Sequence, residues 1–367
     1  MEPLRVLCVF STLDRGGAES MAMSLFRHMD REKVIFDFVK HTNKRGAFED
    51  EIEELGGKIF TAPRYKIYNH FQYIHWWKHF LREHTEYKII HGHYFTISCV
   101  YFKIAHNEGR ITIGHSHCTK APKDQVARPI ANCIGNIMIG QIERNADYCM
   151  ACSVDAGKWV FKKKRFEVLN NAIDADKFCS NSKVGSDVRD EFKLGDSLVI
   201  GNVSRFNLQK NPHGTLDIFK LVHDRIPNAK LLWVGEGPLR AEVQSKAKQY
   251  GIDKDVIFTG VRNDVDRLLQ AIDVFVFPSF YEGLGIAAVE SQAAGVDTYC
   301  SDAIPKDVNI TNLCHFYPLN DLSKWANSIC RIEPAHVHPV MTDQIKKAGY
   351  DIRETANWLQ NFYLSIA

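Results

Sequence analysis

Short apolar runs alternate along this chain with longer stretches in which apolar positions recur every three or four residues, the mark of strands interleaved with amphipathic helices. The runs at 4–10, 36–40, 58–61, 87–91, 110–117 and 146–152 predict strands, and the stretches at 18–29, 46–55, 97–106 and 130–143 predict helices between them. A second series follows, with strands at 198–203, 229–234, 256–259, 274–277 and 297–301 and helices at 212–225, 240–250, 265–271 and 286–294. Regular βα alternation predicts parallel sheets covered by helices, an α/β protein. Residues 166–174 separate the two series, which sets a first domain at 1–172 and a second at 173–349. Residues 302–317 read as irregular and 319–331 as a helix. A closing helix within 350–367 carries Ile352, Ala356, Leu359, Phe362 and Tyr363 on its apolar side.

Polar and glycine residues gather where predicted strands end, which is where parallel α/β sheets bind ligands. The most telling stretch is 273–295, DVFVFPSFYEGLGIAAVESQAAG: a strand, a glycine loop, then a helix closed by Gly295. A helix N-terminus there offers free N–H groups. Glu282 and Glu290 lie eight residues apart, so a helix beginning near Glu282 brings both carboxylates near one side. Carboxylates repel phosphate but accept hydrogen bonds from sugar and ribose hydroxyls. An ordinary βα unit with solvated glutamates has the same spacing, and the spacing by itself does not separate the two readings. Arg205 follows one strand and Lys210 precedes the next helix, a pairing suited to a diphosphate. Gly16 and Gly17 join the first strand to the first helix, where backbone can approach a ligand, and they do not spell the dinucleotide fingerprint G-x-G-x-x-G. His115 and His117 share one face of the strand at 110–117 near its carboxyl end, and the preceding strand ends in His91-Gly92-His93.

Taken whole, PSFYEGLGIAAVESQAAG resembles the E-x7-E signature of retaining glycosyltransferase family 4, and GNVSRFNLQKN resembles that family's phosphate loop. RGGAE, the turn Gly235-Glu236-Gly237-Pro238, Asn171-Ala172-Ile173-Asp174 and His-Ser-His also resemble family motifs, with Gly285 and Ala172 as departures. The resemblance spans nearly the whole chain, is most specific in the second half, and points to the capsule and exopolysaccharide subgroup. It implies the GT-B fold, two Rossmann-like domains facing a cleft, with the closing helix crossing back to the first. It implies a nucleotide sugar on the second domain: Arg205 and Lys210 on the diphosphate, Glu290 on the ribose, Val261 and Arg262 at the base. Glu282 and the amides of Gly283, Leu284 and Gly285 hold the sugar, and Gly235 and Gly237 shape the adjoining turn. Gly16 and Gly17 lie beside donor phosphates and acceptor. The active-site histidine is one of His115 and His117, with His117 favoured as nearer the strand end. The implied reaction moves a hexose or N-acetylhexosamine, UDP-linked rather than GDP-linked, to a saccharide acceptor carried on lipid, with retention of configuration. A UDP-sugar 2-epimerase of the same architecture and a catalytically silent nucleotide-sugar-binding subunit are the alternatives.

Composition adds limits. At 367 residues, 45% hydrophobic and 25% charged with net charge +2, the chain resembles a folded globular protein and is too balanced for a general nucleic-acid binder. No apolar run is long enough to span a bilayer, and no secretory signal is visible, so a cytoplasmic protein is expected, with peripheral contact at the inner membrane face. Two stretches bear on that contact: the aromatic and basic segment 64–84 and the basic run 162–165. Each has a plainer reading, a packed helix and a solvated helix end. The ten cysteines form no framework, and Cys149-x-x-Cys152 has no second pair at zinc spacing. Three D-x-D tripeptides in unrelated contexts carry no metal signal, so neither a metal nor another cofactor is expected. The segment 120–128 reads as a loop on the acceptor side.

Overall fold

The computed structural model describes residues 2–93, 97–117, 138–334 and 337–367. The chain divides into two compact units, Met1–Ala172 with Asp351–Ala367, and Ile173–Tyr350. Tyr350, which the sequence assigns to the closing helix, belongs to the second unit: its amide closes a turn on the Ile345 carbonyl and its carbonyl accepts from the Ile173 amide at 3.0 Å.

Among the described residues the first unit holds a seven-stranded parallel sheet in the order β3-β2-β1-β4-β5-β6-β7. The strands are β1 Leu4–Val9, β2 Val34–Lys40, β3 Ile59–Thr61, β4 Ile89–Gly92, β5 Ile111–Ser116, β6 Tyr148–Ala151 and β7 Glu167–Val168. The end of β1 is apolar on both faces because both are covered. Val6 and Cys8 pack with Met21, Leu25 and Phe26 of the helix Gly17–His28, while Leu7 and Val9 pack with Tyr73 and Trp77 of the helix His70–Glu83. The closing helix, Ile352–Ile366, contributes Ile352, Ala356, Leu359 and Tyr363 to the first of these cores, and its Gln360 accepts from the Asp30 amide at 2.8 Å. Asp37, fully buried in β2, is held by Arg5 at 2.7 Å and by the Tyr87 hydroxyl at 2.8 Å.

The second unit holds a six-stranded parallel sheet in the order β10-β9-β8-β11-β12-β13. Its strands are β8 Val199–Val203, β9 Lys230–Val234, β10 Val256–Gly260, β11 Val274–Phe277, β12 Asp297–Ser301 and β13 Cys314–Tyr317. β11 is central and wholly buried, which matches its unbroken apolar run. β13 corrects the irregular reading of 302–317. It is an edge strand with a mostly half-buried sequence, Cys-His-Phe-Tyr, so it lacks the apolar run that marks β11. A helix at Ser182–Glu191 and another at Thr342–Lys347 pack onto the same unit. Asp273, at the start of β11, accepts two bonds of 2.8 Å from Arg189 and one of 2.7 Å from the Val199 amide, which ties that helix and β8 to the central strand. No helix among the described residues is long and apolar enough to cross a membrane. The loop expected at 120–128, and the start of the helix expected at 130–143, lie outside the described residues; 138–145 are helical.

Candidate active site

All strands of the second unit run the same way, so their carboxyl ends, and the residues just past them, share one edge of its sheet. Arg205 follows β8, Gly235 and Gly237 follow β9, Val261 and Arg262 follow β10, and Glu282 to Gly285 follow β11. The loops after β8 and β11 are laced together. The Phe280 amide donates to Gln209 O at 2.9 Å, Gln209 Nε2 donates to Tyr281 O at 3.0 Å, and Asn211 Nδ2 donates to Pro278 O at 3.1 Å. Lys210 Nζ meets Glu282 Oε1 at 2.6 Å, and Gln209 Nε2 approaches the other carboxylate oxygen at 3.4 Å. Lys210 also lies 5.0 Å from the centre of the Phe277 ring. The Lys210–Glu282 pair is partly buried, and Arg205, in the same loop as Lys210, is exposed.

The glycine turns are sterically required. Gly235 has φ +137°, and a Cβ there would lie 2.0 Å from the Ser204 carbonyl oxygen. Gly237 has φ +158°, and its Cβ would strike the Phe206 backbone at 2.6 Å. The turn after β9 therefore lies directly on the Arg205 loop, sealed by Phe206 N–H to Glu236 O at 3.0 Å and Leu239 N–H to Phe206 O at 3.0 Å.

Glu282 and Glu290 are not on one helix. The helix Ile286–Ala293 begins four residues after Glu282, because Gly285 takes φ +102° and breaks the approach. Glu282 therefore belongs to the loop and to Lys210, and the shared helical side expected from the E-x7-E spacing is absent. Glu290 lies on the helix in a different setting. Burial pushes its carboxyl up to about 7, against a lowering by Lys177 and with a further rise from Asp266. Arg262 is turned to Asp264, with two contacts of 2.8 Å, so its guanidinium is already engaged within the protein. The Leu284 side chain is likewise in the core, 2% exposed, which leaves its amide.

In the first unit, Gly16 caps the helix Gly17–His28, and a Cβ on it would fall within 2.9 Å of the Glu19 carboxylate carbon. Gly17 faces open space. His115 and His117 stack at 4.2 Å and meet the preceding pair: His91 Nε2 lies 3.2 Å from His115 Nδ1, and His93 Nδ1 lies 2.9 Å from His117 Nε2. Burial keeps all four rings neutral, lowering His91 and His117 to about 3 and holding His93 and His115 well below the ordinary imidazole range. Buried His115 Nε2 and His117 Nδ1 have no hydrogen-bond partner among the described residues.

The family model for glycosyl transferases group 1 matches residues 186–307, which include Arg205, Lys210, Gly235, Gly237, Val261, Arg262, Glu282 and Glu290. EpsF of Bacillus subtilis (strain 168), named as a glycosyltransferase, is 30% identical over 378 residues, 98% of this chain and 96% of EpsF. This chain belongs to the glycosyl transferases group 1 family. CapH of Staphylococcus aureus, a capsular polysaccharide biosynthesis glycosyltransferase, is 24% identical over 99% of both chains. Among solved structures, Anabaena HepE in complex with UDP and glucose has a TM-score of 0.80 at 17% identity, covering 99% of this chain and 100% of that one. The fold is GT-B, with two Rossmann-like parallel-sheet domains.

Within this glycosyltransferase, sequence reasoning overlooked Gln209 and Asn211. Gln209 lies between the two recognised cations and Asn211 directly follows the second, and each joins loops that are about 70 positions apart in the chain. Asn211 also adopts φ 51° and caps the helix Pro212–His223 through Gly214 N–H, a local signal visible as Asn before Pro. His91 and His93 were noted as a strand ending without a role.

Proposed function

We propose that this glycosyltransferase moves a hexose or N-acetylhexosamine from a UDP-sugar to a lipid-linked saccharide, with retention, in surface-polysaccharide assembly at the inner membrane face. The observation that carries the reading is the convergence of Arg205, Lys210, Glu282 and the glycine turns on one sheet edge. Cations there stabilise the charge that develops on a departing nucleoside diphosphate. Glu282, whose carboxylate now rests on Lys210, accepts sugar hydroxyls, and Glu290 those of the ribose. The glycosidic C1–O bond to phosphate breaks with its electron pair going to the diphosphate. The acceptor oxygen bonds C1 on the same face, and its proton passes to the leaving phosphate oxygen. Arg205 and Lys210 supply the positive charge, so the donor end requires no metal. His117, the most open of the four histidines, orients the acceptor or the sugar.

The name of CapH supports the polysaccharide assignment, and the UDP and glucose held by HepE support the donor. A relative from Escherichia coli, 26% identical over 55% of this chain and 54% of its own length, is named as transferring galactose from UDP-Gal onto a GlcNAc-diphosphoundecaprenol. The lipid side also draws on the first unit. Ile67, Tyr68 and Phe71 are 80%, 82% and 85% exposed, the same segment exposes Arg64, Lys66 and Lys78, and 64–82 contains no carboxylate, although Arg82 pairs with Glu108. An apolar knuckle ringed by cations suits an anionic bilayer surface.

Incubation with a panel of UDP-, GDP- and ADP-sugars tests the reading. Slow release of UDP, undiminished by EDTA, is expected, with an α-configured product by NMR from an α-configured donor. A 2-epimerised sugar nucleotide, an inverted product, or no turnover of any donor would overturn it.

A further inference from the structure

Two His-x-His motifs end neighbouring parallel strands of the first unit. His91-Gly92-His93 closes β4 and His115-Ser116-His117 closes β5. Side chains two apart on a strand share a face, so each motif presents both rings on one side. The register pairs Gly92 with Gly114, which brings His93 abreast of His115. The ring centres of His91 and His93 are 4.2 Å apart, and those of His93 and His115 5.2 Å. A nitrogen from each of His91, His93 and His115 lies within 4.8 Å of the others.

We propose that His91, His93 and His115 form a binding site for one divalent ion of the zinc class. Three neutral imidazoles with no carboxylate or thiolate among them favour Zn²⁺, Co²⁺ or Ni²⁺ over the oxygen-seeking Mg²⁺ and Ca²⁺. Tetrahedral zinc with bonds of about 2.0–2.1 Å sets its ligand atoms roughly 3.3–3.4 Å apart. His91 Nε2 and His115 Nδ1 already stand at 3.2 Å, so closure asks mainly for a His93 nitrogen to approach from within 4.8 Å. The outer partner that ligating histidines require is present: the Tyr363 hydroxyl lies 2.6 Å from His91 Nδ1 and aims Nε2 at the cluster. With His115 ligating through Nδ1, its proton sits on Nε2, which has no partner among the described residues. Ligation of His93 through Nε2 leaves its Nδ1–H to donate to His117 Nε2, which fixes the His117 proton on Nδ1. The ion thereby sets the tautomer of the ring next to the acceptor side, and it takes no part in holding the donor diphosphate.

The test reads metal directly and is independent of any sugar nucleotide. Chelator-treated full-length protein is titrated with Co²⁺ and then Zn²⁺, and the Zn-loaded protein is measured by X-ray absorption. One equivalent of Co²⁺ with tetrahedral d–d bands is expected, displaced by Zn²⁺, with a shell of three imidazole nitrogens at about 2.0 Å. His115→Gln abolishes the bands and Tyr363→Phe weakens binding about 10–100-fold. His79→Ala leaves them intact, since His75 and His79 form a separate exposed pair on a helix. An absence of Co²⁺ bands, an oxygen-dominated shell in the wild-type protein, or binding lost in His79→Ala but kept in His115→Gln would overturn the proposal.

Discussion

Replacing Glu290 by glutamine separates the ionisation of this residue from its shape. Its carboxyl ionises near 7 in the fold against an ordinary 4.5, because burial disfavours the charged form more than Lys177 favours it. A carboxyl with a raised folded pKa contributes stability that is whole below about 4.5 and is lost as pH rises through about 7. At about 1.4 kcal/mol per pH unit, the loss amounts to about 3 kcal/mol. Lys177 is itself paired with Asp266 at 3.0 Å, so it offers little relief. Glutamine keeps the volume and cannot ionise. The stability difference, Glu290→Gln minus wild type, should therefore climb by an amount on the order of 3 kcal/mol between pH 4.5 and 8. Native-state hydrogen exchange of the β8 and β11 amides reads this in the second unit alone, where whole-chain fluorescence would mix both units. Nucleotide binding adds a second readout. If ribose hydroxyls favour the carboxylate, UDP binding at pH 7 releases about half a proton, seen by calorimetry in buffers of different ionisation enthalpy. A difference in exchange that stays flat across this pH range would refute the argument from burial.

Other outcomes follow from the same geometry. Arg205→Ala removes an exposed side chain, so the melting temperature holds while kcat falls about 100–1,000-fold, measured as UDP-sugar turnover. An equal loss from thermal unfolding would contradict it. Gly235→Ala forces a Cβ to within 2.0 Å of a backbone carbonyl at φ +137°, and should destabilise the second unit by more than about 2 kcal/mol in urea denaturation. Arg189→Met strands the buried Asp273 carboxylate and costs about 3–5 kcal/mol, while the double change with Asp273→Asn recovers part of it; additive losses would show that the pair is not coupled. Ile67→Ser with Phe71→Ser should abolish flotation with vesicles rich in phosphatidylglycerol without changing hydrolysis of the donor.

What was legible in the chain was local. β11 announced itself because a central parallel strand is buried on both faces, and Val274 to Phe277 have no polar residue to interrupt the run. The cations and glycines after β8 and β9 were legible because glycine at φ +137° and +158° answers to a backbone clash, not to taste in side chains. What stayed hidden depended on register and on distance along the chain. β13 is an edge strand, and its half-buried pattern looks like loop. The Lys210–Glu282 contact spans 72 positions, and its existence decides that Glu282 faces a cation and not its sequence partner Glu290. The four histidines were visible as two pairs, but their meeting follows from the pairing of β4 with β5. The helix start at Ile286 was legible, and a common side for Glu282 and Glu290 depended on an earlier start that the fold does not make.

The closing helix has a consequence for biosynthesis. Ile352, Leu359 and Tyr363 complete a core whose other members lie within the first 172 positions. During translation that sheet waits with one flank bare while 173–350, whose core is drawn from its own residues, emerges and folds. The nascent amino-terminal half is thus exposed to trapping by chaperones or by other chains until 351–367 has cleared the ribosome. A stop codon near 350 would yield a second unit with its own core intact, attached to an amino-terminal half that lacks one flank of its core.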